Sequence, residues 1–272
     1  MATSSKTTSH PHRQPTPKGR KASSKRRSSR QGGSRHQPWV RRLVMVLIIG
    51  LIGWCAVFLL SGQQGHRGID VSHHQGNIDW QKVASDNDIE FVFIKATEGI
   101  QMTDHKFHTN RRQAHKQGLL VGAYHFMLPK VSGAQQFDHF ADVVGRDIDL
   151  RPVLDLENPL KGDIGNDEAY RTEVKAWIDA CTAEYGCPPI VYASPSFVRD
   201  HQLSDVISHC PYWIAWYTRM PHAVSSRRHY LMLTHPGTQA ILWQYTDKGS
   251  VRGISSHVDL NECWEMATLR LR

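Results

Sequence analysis

Two acidic residues separated by a single leucine occur in the segment PVLDLE. Asp155 and Glu157 share one face of an extended strand, because strand side chains alternate with a period of two. Leu154 and Leu156 then point to the opposite, apolar face. Acids that alternate with leucines in this way cost stability unless they are paired or functional. The alternative is a pair of solvated acids at the end of a strand.

Two carboxyl groups in different protonation states are what the hydrolysis of a glycosidic bond requires. One acid donates its proton to the leaving oxygen, and a second group stabilises the positive charge that develops at the sugar carbon. Glu157 is longer and lies at the strand end, so it is the better donor. Asp155 raises the pKa of Glu157 by like-charge repulsion. Asp70 and Asp259, on strands that we expect to be neighbours, add further negative potential to the catalytic set.

The other candidate strands also end in polar or aromatic residues. In a parallel barrel the carboxyl ends of the strands meet at one mouth, where such folds keep their chemistry. Tyrosine rings and hydroxyl groups at this mouth offer surfaces against which sugar rings pack. We therefore assign substrate binding to Lys95, Glu98, Tyr124, Tyr192, Tyr217, Gln244, Tyr245 and Asp259. Trp213 and Trp216 point to opposite sides, so we expect one of them to be buried.

The elements that position these residues alternate as strand, turn and helix after Gly68. Eight segments rich in β-branched and aromatic residues are the candidate strands: 68–72, 90–96, 119–126, 151–157, 189–194, 212–218, 240–246 and 256–261. Five helix-like stretches separate the first six strands. Segments 218–240 and 247–255 show no convincing helix. The pattern predicts an α/β fold, a TIM-like barrel of eight mainly parallel strands: five β/α units followed by three strands with little helical cover.

The amino-terminal part differs in composition from the rest. Residues 1–42 are basic and poor in large apolar side chains, which predicts a disordered cytoplasmic tail. Residues 43–60 carry no charge, and at a rise of about 1.5 Å per residue they cover roughly 27 Å, the length of a transmembrane helix. The positive-inside rule then predicts a signal anchor, with a cleaved signal peptide as the alternative. Residues 61–67 form a linker, and 68–272 an exported barrel domain, periplasmic or extracellular.

The charge of the chain is unevenly distributed. The formal net charge is +8, but no acidic residue precedes Asp70, and residues 70–272 hold 20 basic against 25 acidic side chains. The folded part is therefore mildly acidic, which argues against a groove for nucleic acid. A role in binding nucleic acid or anionic lipid would have to belong to the tail.

The histidine and cysteine patterns predict no metal ion and no cofactor. His73 and His74 are adjacent and point to opposite sides of a strand, and with His125 they lack the i, i+4 spacing of metal ligands. There is no CxxC pair. The exported part can form disulfides, with three complete pairings possible, or keep buried free thiols. Its four cysteines are Cys181, Cys187, Cys210 and Cys263.

Eight segments, in order, resemble the family 25 glycoside hydrolases, the Chalaropsis-type lysozymes or muramidases: GIDVSHHQG, FIKATEG, GAYHF, PVLDLE, VYAS, WIAWY, LWQYTDKG and VDLN. The resemblance implies a barrel of five β/α units followed by three strands. It also implies cleavage of the β-1,4 bond between N-acetylmuramic acid and N-acetylglucosamine in peptidoglycan, with retention of configuration. Glu157 would be the proton donor and Asp155 its companion, with Asp70 and Asp259 in the same pocket. Whether Asp155 forms a covalent bond or assists the 2-acetamido group of the substrate is left open.

On this interpretation the partners are peptidoglycan glycan strands and, through the anchor, inner-membrane lipid, and we expect a monomer that binds no nucleic acid. The main alternative is a catalytically weak protein that binds the cell wall. Hydrolysis of another polysaccharide and a tethering role of the basic tail are further alternatives. The stretch RRHYLMLTHPGTQA, residues 227–240, is longer and more basic than the family pattern predicts.

Overall fold

The computed structural model describes six stretches of the chain: 38–61, 65–86, 88–158, 164–217, 227–235 and 239–271. The chain separates into two units, with the boundary between Ile52 and Gly53. The disordered tail predicted for residues 1–42 lies outside the described residues except for its last five positions, as do residues 62–64 of the predicted linker.

The second unit contains a closed barrel. Its sheet has the strand order β1-β9-β8-β7-β6-β5-β4-β2-β3, and an additional pairing of β1 with β2 closes it. In the described residues the strands are β1 (His66–Val71), β2 (Ile89–Glu98), β3 (Met102–Thr103), β4 (Leu120–Phe126), β5 (Val153–Leu156), β6 (Ile190–Ala193), β7 (Tyr212–Ala215), β8 (Ala240–Gly249) and β9 (Val258–Cys263). The two-residue strand β3 only extends the edge beside β2, so eight strands form the barrel, as predicted.

Strand direction departs from a uniform parallel barrel at one place. All neighbouring pairs from β1 through β8 in the barrel wall are parallel, whereas β9 is antiparallel to both β8 and β1. The first residues of β9 therefore lie at the end of the barrel where the other strands finish. Asp259 lies at the mouth because it is near the start of β9, whereas Asp70 and Asp155 are near the ends of parallel strands.

Helices cover most of the outer surface of the barrel. In the described part of the second unit these helices are α2 (Trp80–Asp86), α3 (Phe107–Lys116), α4 (Gly133–Val144), α5 (Asp167–Tyr185), α6 (Pro195–Asp200), α7 (Arg227–Thr234) and α8 (Met266–Leu269), and a further helix, α1 (Pro38–Ser61), begins in the first unit. Five of these, α2 to α6, lie between the first six barrel strands as predicted. A 3₁₀ turn at His73–Gln75 follows β1.

Helix α7 corrects the expectation that segment 218–240 contains no helix. Its Leu231 is buried with Ile214 and Trp243 on the outer face of β7 and β8. The helix has only eight residues, and its stability depends on this packing more than on intrinsic propensity. Periodicity in so short a segment was therefore a weak signal.

Two apolar layers hold the barrel together. Leu154 and Leu156 of β5 point outward into the layer beneath the helices, and both are fully buried. Phe91 and Phe93 of β2 point inward and fill the floor of the barrel. Their rings need glycine on the neighbouring strands, since a Cβ at Gly68 would overlap the Phe91 ring and one at Gly122 would overlap the Phe93 ring. The floor is thus packed, and open space remains at the mouth.

Helix α1 belongs to the first unit and extends across its boundary. Its bounds, Pro38–Ser61, contain the predicted membrane span 43–60. Large apolar side chains between Trp39 and Ile52 are exposed. Among the residues whose placement is described, no helix meets the length and hydropathy needed to cross a membrane.

His125 lies in the outer layer and not at the mouth. It is fully buried, its ring is stacked on Trp177, and Nε2 lies 3.2 Å from Oε1 of Gln136. The Gln136 amide nitrogen donates to two carbonyl groups, so Oε1 accepts and His125 Nε2 carries the proton. Thr97 Oγ1, 2.8 Å from Nδ1, is then the donor to the other ring nitrogen. Burial lowers the pKa of His125 to about 3.

This buried imidazole predicts a pH dependence of stability. Between about pH 6.5 and 3 the unfolded chain binds a proton at residue 125 and the folded chain does not, so the free energy of unfolding falls as the pH falls. The contribution approaches about 1.4 kcal/mol per pH unit. Urea unfolding of parent and His125→Gln across this range will show a smaller slope in the variant. The exposed His209→Gln is the control and will keep the parent slope; equal slopes in all three proteins would contradict the assignment.

Candidate active site

Strand β5 delivers the two acids identified from the sequence. Val153 and Asp155 point into the barrel, whereas Leu154 and Leu156 point outward. Asp155 is 6% exposed, whereas Glu157, beyond the last residue of the strand, reaches solvent. The alternation predicted for PVLDLE is therefore present, with one acid inside the mouth and one at its rim.

The mouth is a cavity of about 140 Å³. Most of the residues assigned from the sequence line it, and Val153 and Trp213 complete its wall. The lining residues are Asp70, Tyr124, Val153, Asp155, Glu157, Tyr192, Trp213, Tyr217, Gln244 and Asp259. Four carboxyl groups and three tyrosines thus share one opening.

Amide groups hold the Asp70 carboxylate in place. Nδ2 of Asn261 donates to Asp70 Oδ1 at 2.7 Å, and Nε2 of Gln244 lies 3.0 Å from Oδ1 and 3.2 Å from Oδ2. All three residues are buried. Burial raises the pKa of Asp70, and the hydrogen bonds from Asn261 and Gln244 oppose that rise. The amides thereby stabilise a negative charge at this position.

The same amides are fixed from their other side. Gln244 Oε1 accepts hydrogen bonds from the hydroxyl groups of Tyr192, at 2.7 Å, and Tyr217. Asn261 Oδ1 accepts from Trp213 Nε1 at 3.0 Å. Each amide oxygen therefore faces donors and each amide nitrogen faces Asp70, so neither amide can rotate without losing bonds on both sides. Gln244 was assigned to substrate binding from the sequence, but its amide oxygen and its amide nitrogen both form hydrogen bonds within the protein.

Asp259 is paired with Asp70 across the antiparallel strands β1 and β9. A hydrogen bond joins the two side chains. Burial, followed by the charge of Asp70, raises the pKa of Asp259 to about 9. The proton of this acid pair therefore resides on Asp259, which donates to Asp70 near neutral pH.

Asp155 and Glu157 both hold their protons more tightly than free side chains. Burial is the main cause for Asp155, whose pKa is well above its ordinary value, and the nearby Glu157 raises it further. The pKa of Glu157 is also raised, first by desolvation and then by Asp70. Its carboxyl group is desolvated among the walls of the mouth although the residue as a whole reaches solvent. Asp155 Oδ1 is buried and has no hydrogen-bond partner in the structure.

Lys95 and Glu98 form an ion pair beside the mouth, with Nζ 2.7 Å from Oε2. Lys95 is 8% exposed, and its positive charge lowers the pKa of Asp155 and of Glu157. The pair does not line the cavity itself. The assigned role of Lys95 and Glu98 in substrate binding stays a prediction, while the charge of Lys95 acts on both acids.

Tyr245 is an assigned residue that the fold separates from the mouth. Its ring lies on the outer face, packed near Trp243, with the Arg227 guanidinium 4.2 Å from the ring centroid. Trp213 is buried in the mouth, and Trp216 is half-buried outside it, in agreement with the expectation that one of these tryptophans is buried.

Asn261 is the functional-site residue that sequence analysis missed. The signal was present in VDLN, since Asp259 and Asn261 are two residues apart and share a strand face.

The four cysteines considered for disulfides are free thiols in the structure, so none of the three pairings is formed. Burial raises the pKa of Cys263 to about 12, which keeps this thiol protonated.

The amide arrangement predicts the effect of an isosteric change at residue 244. Gln244→Glu replaces a buried donor by an oxygen that faces Asp70, so we expect a loss of about 1–3 kcal/mol in the free energy of unfolding at pH 7. The exposed Gln135→Glu on α4 is the matched control and will change stability little. Urea unfolding followed by circular dichroism measures both. Equal stability of the two variants would contradict the role of the Gln244 amide.

The family model for glycosyl hydrolases family 25 matches residues 69–254. The uncharacterized protein YegX of Escherichia coli strain K12 is 35% identical over 200 residues, covering 71% of this chain and 68% of that protein. Lysozyme M1 of Streptomyces globisporus is 33% identical over 210 residues, covering 73% and 67% of the two chains.

The crystal structure of the bacterial lysozyme from Streptomyces coelicolor has a TM-score of 0.62 and 30% identity, over 74% of this chain and 93% of that one. The family match begins within β1 and extends past the end of β8, and it therefore includes Asp70, Asp155, Glu157 and Gln244. The chain belongs to the family 25 glycosyl hydrolases.

Proposed function

We propose that this glycoside hydrolase is a muramidase that cleaves the β-1,4 bond between N-acetylmuramic acid and N-acetylglucosamine in peptidoglycan. The observation that carries the proposal is that two carboxyl groups, Asp155 on the inward face of β5 and Glu157 just beyond its end, line one mouth. The names of the relatives support it: Lysozyme M1, an autolytic lysozyme of Clostridium acetobutylicum and an N,O-diacetylmuramidase of Arthroderma benhamiae.

In the proposed mechanism Glu157 is the general acid. It stands at the rim, where a glycosidic oxygen can approach, and its raised pKa keeps a fraction of the carboxyl groups protonated above the ordinary range. Its proton passes to the leaving oxygen as the bond from that oxygen to the anomeric carbon breaks. The resulting Glu157 carboxylate then accepts a proton from the water that completes hydrolysis.

Asp155 is the proposed companion carboxyl group, and Asp70 supplies fixed negative charge. The Asp155 carboxylate lines the mouth, where it can accept a hydrogen bond from the 2-acetamido nitrogen or approach the anomeric carbon. Both routes give retention of configuration and use Glu157 in the same way. Asp70 is held in place by two amides, so its negative charge stabilises the positive charge of the transition state without any movement of the side chain.

Replacement of the proposed acid gives a direct test. Glu157→Gln keeps the shape of the side chain and removes its proton, so the release of reducing ends from purified peptidoglycan should fall by about 10² to 10⁴-fold. The exposed Glu168→Gln on α5 is the control and should keep the parent rate. A Glu157→Gln variant that remained as active as the parent would contradict the assignment. A parent protein that bound peptidoglycan without releasing reducing ends would favour the wall-binding alternative.

The stereochemical outcome tests a second part of the mechanism. Retention predicts that the β-anomer appears first, which proton NMR of the earliest product detects. Immediate appearance of the α-anomer would mean inversion and would exclude both routes through Asp155.

We also propose that residues 43–60 anchor the enzyme, with the amino terminus in the cytoplasm and the barrel on the outer side of the membrane. The exposed apolar side chains of α1 support this, because a helix that is apolar on all sides requires a lipid or protein environment. The full chain should stay in the membrane fraction through alkaline carbonate washing, and a chain lacking residues 43–60 should not. Release of the full chain by carbonate would contradict the anchor. A monomer remains our expectation for the anchored enzyme.

A further inference from the structure

We propose that His73, Asp104 and His105 form a binding site for a divalent transition-metal ion such as Zn²⁺. One donor atom from each of the three residues lies within 4.8 Å of the other two. None of the three lines the cavity that holds the catalytic acids. The site is therefore separate from that cavity.

Asp104 supplies a carboxylate that is already fixed in position. It is 1% exposed, and two backbone groups hold it: His73 N donates to Oδ2 at 2.9 Å, and Lys106 N donates to Oδ1 at 2.8 Å. A buried carboxylate is stable only when charge or donors compensate it. Here two backbone N–H groups and the His73 imidazole are its partners, and the imidazole is itself a metal ligand.

His73 is oriented by the turn that carries it. The turn follows β1 and is closed at Ser72 and Gln75, where Ser72 Oγ accepts from His74 N and Gln75 Oε1 accepts from Ser72 N. The His73 Nδ1 atom lies 2.8 Å from Asp104 Oδ2. Adjacent histidines argued against a metal in the sequence, but the structure supplies partners from a segment about thirty residues away.

His105 provides the third ligand from the surface. Its ring centroid lies 5.3 Å from that of His73, and the residue is exposed. A tetrahedral zinc ion with ligands at about 2.0–2.2 Å keeps its ligand atoms roughly 3.4 Å apart. An exposed imidazole can make a shift of roughly 1 Å toward the other two groups, and a water molecule can occupy the fourth position.

Two imidazoles and one carboxylate favour Zn²⁺, Ni²⁺ or Cu²⁺ over Mg²⁺ and Ca²⁺, which prefer oxygen ligands. On binding, the ion takes the place of the proton between His73 Nδ1 and Asp104 Oδ2, and the neutral His73 ring then carries its proton on Nε2. The bound ion ties the turn after β1 to the segment between β3 and α3. It thereby cross-links the loops that follow the first two strands of the barrel.

Zinc titration of the full-length protein, without an added histidine tag, tests the site by isothermal calorimetry and thermal unfolding. We expect one Zn²⁺ per chain at this site and a higher melting temperature, by roughly 5–10 °C at a free zinc concentration of about 100 times Kd. Mg²⁺ should have no comparable effect. His105→Ala, an exposed change, should weaken zinc binding by at least about 10-fold.

His209→Ala is the control, because it removes an exposed histidine far from these ligands in sequence, and it should keep the zinc affinity of the parent. His73→Ala should behave like His105→Ala, and circular dichroism verifies that each variant is folded. The proposal is overturned if the parent does not bind zinc, if Mg²⁺ binds equally well, or if His105→Ala keeps the affinity of the parent. Hydrolytic activity enters none of these outcomes, so they are distinguishable from a failure of the proposed function.

Discussion

The gathering of four carboxyl groups at one barrel mouth is the constraint on which this site depends. An uncompensated buried charge costs several kcal/mol, and the whole free energy of unfolding of a domain is only about 5–15 kcal/mol. The four groups therefore cannot all be ionised without compensation. Asn261 and Gln244 compensate the charge on Asp70, and Asp259 keeps a proton that it shares with Asp70. The pKa values of Asp155 and Glu157 are both raised, which favours the protonated form that Glu157 needs as a proton donor.

The reversal of the last strand makes this compensation possible. Because β9 is antiparallel to β1, Asp259 lies directly opposite Asp70 and Asn261 is one strand period further into the barrel. The floor below is closed by Phe91, Phe93 and their neighbours, so the polar groups are confined to a shallow mouth. The polar groups and the apolar packing are thus separated along the barrel axis. The close-packed floor keeps the carboxyl groups above it in fixed positions.

The outer surface combines apolar packing with charge pairing. Helix α7 covers β7 and β8 with Leu231, while Tyr230 and Trp216 stack nearly parallel beside it. Arg227 contacts both the Tyr245 ring and the Glu262 carboxylate, which is almost fully buried. The long basic segment that departs from the family pattern is, in its described part, a cover for the barrel. Arg227 of this segment therefore forms its contacts within the fold.

Local sequence by itself determined the eight barrel strands, the inward face of PVLDLE and the membership of most mouth residues, because a two-residue period and strand-end chemistry are local properties. It did not determine that Tyr245 faces outward, that Asn261 clamps Asp70, or that Asp104 and His105 meet His73. Those contacts join residues far apart in the chain, and they follow from strand direction, register and helix packing. Tertiary structure also decided which acids keep their protons, because burial and neighbouring charges set each pKa in the folded state alone.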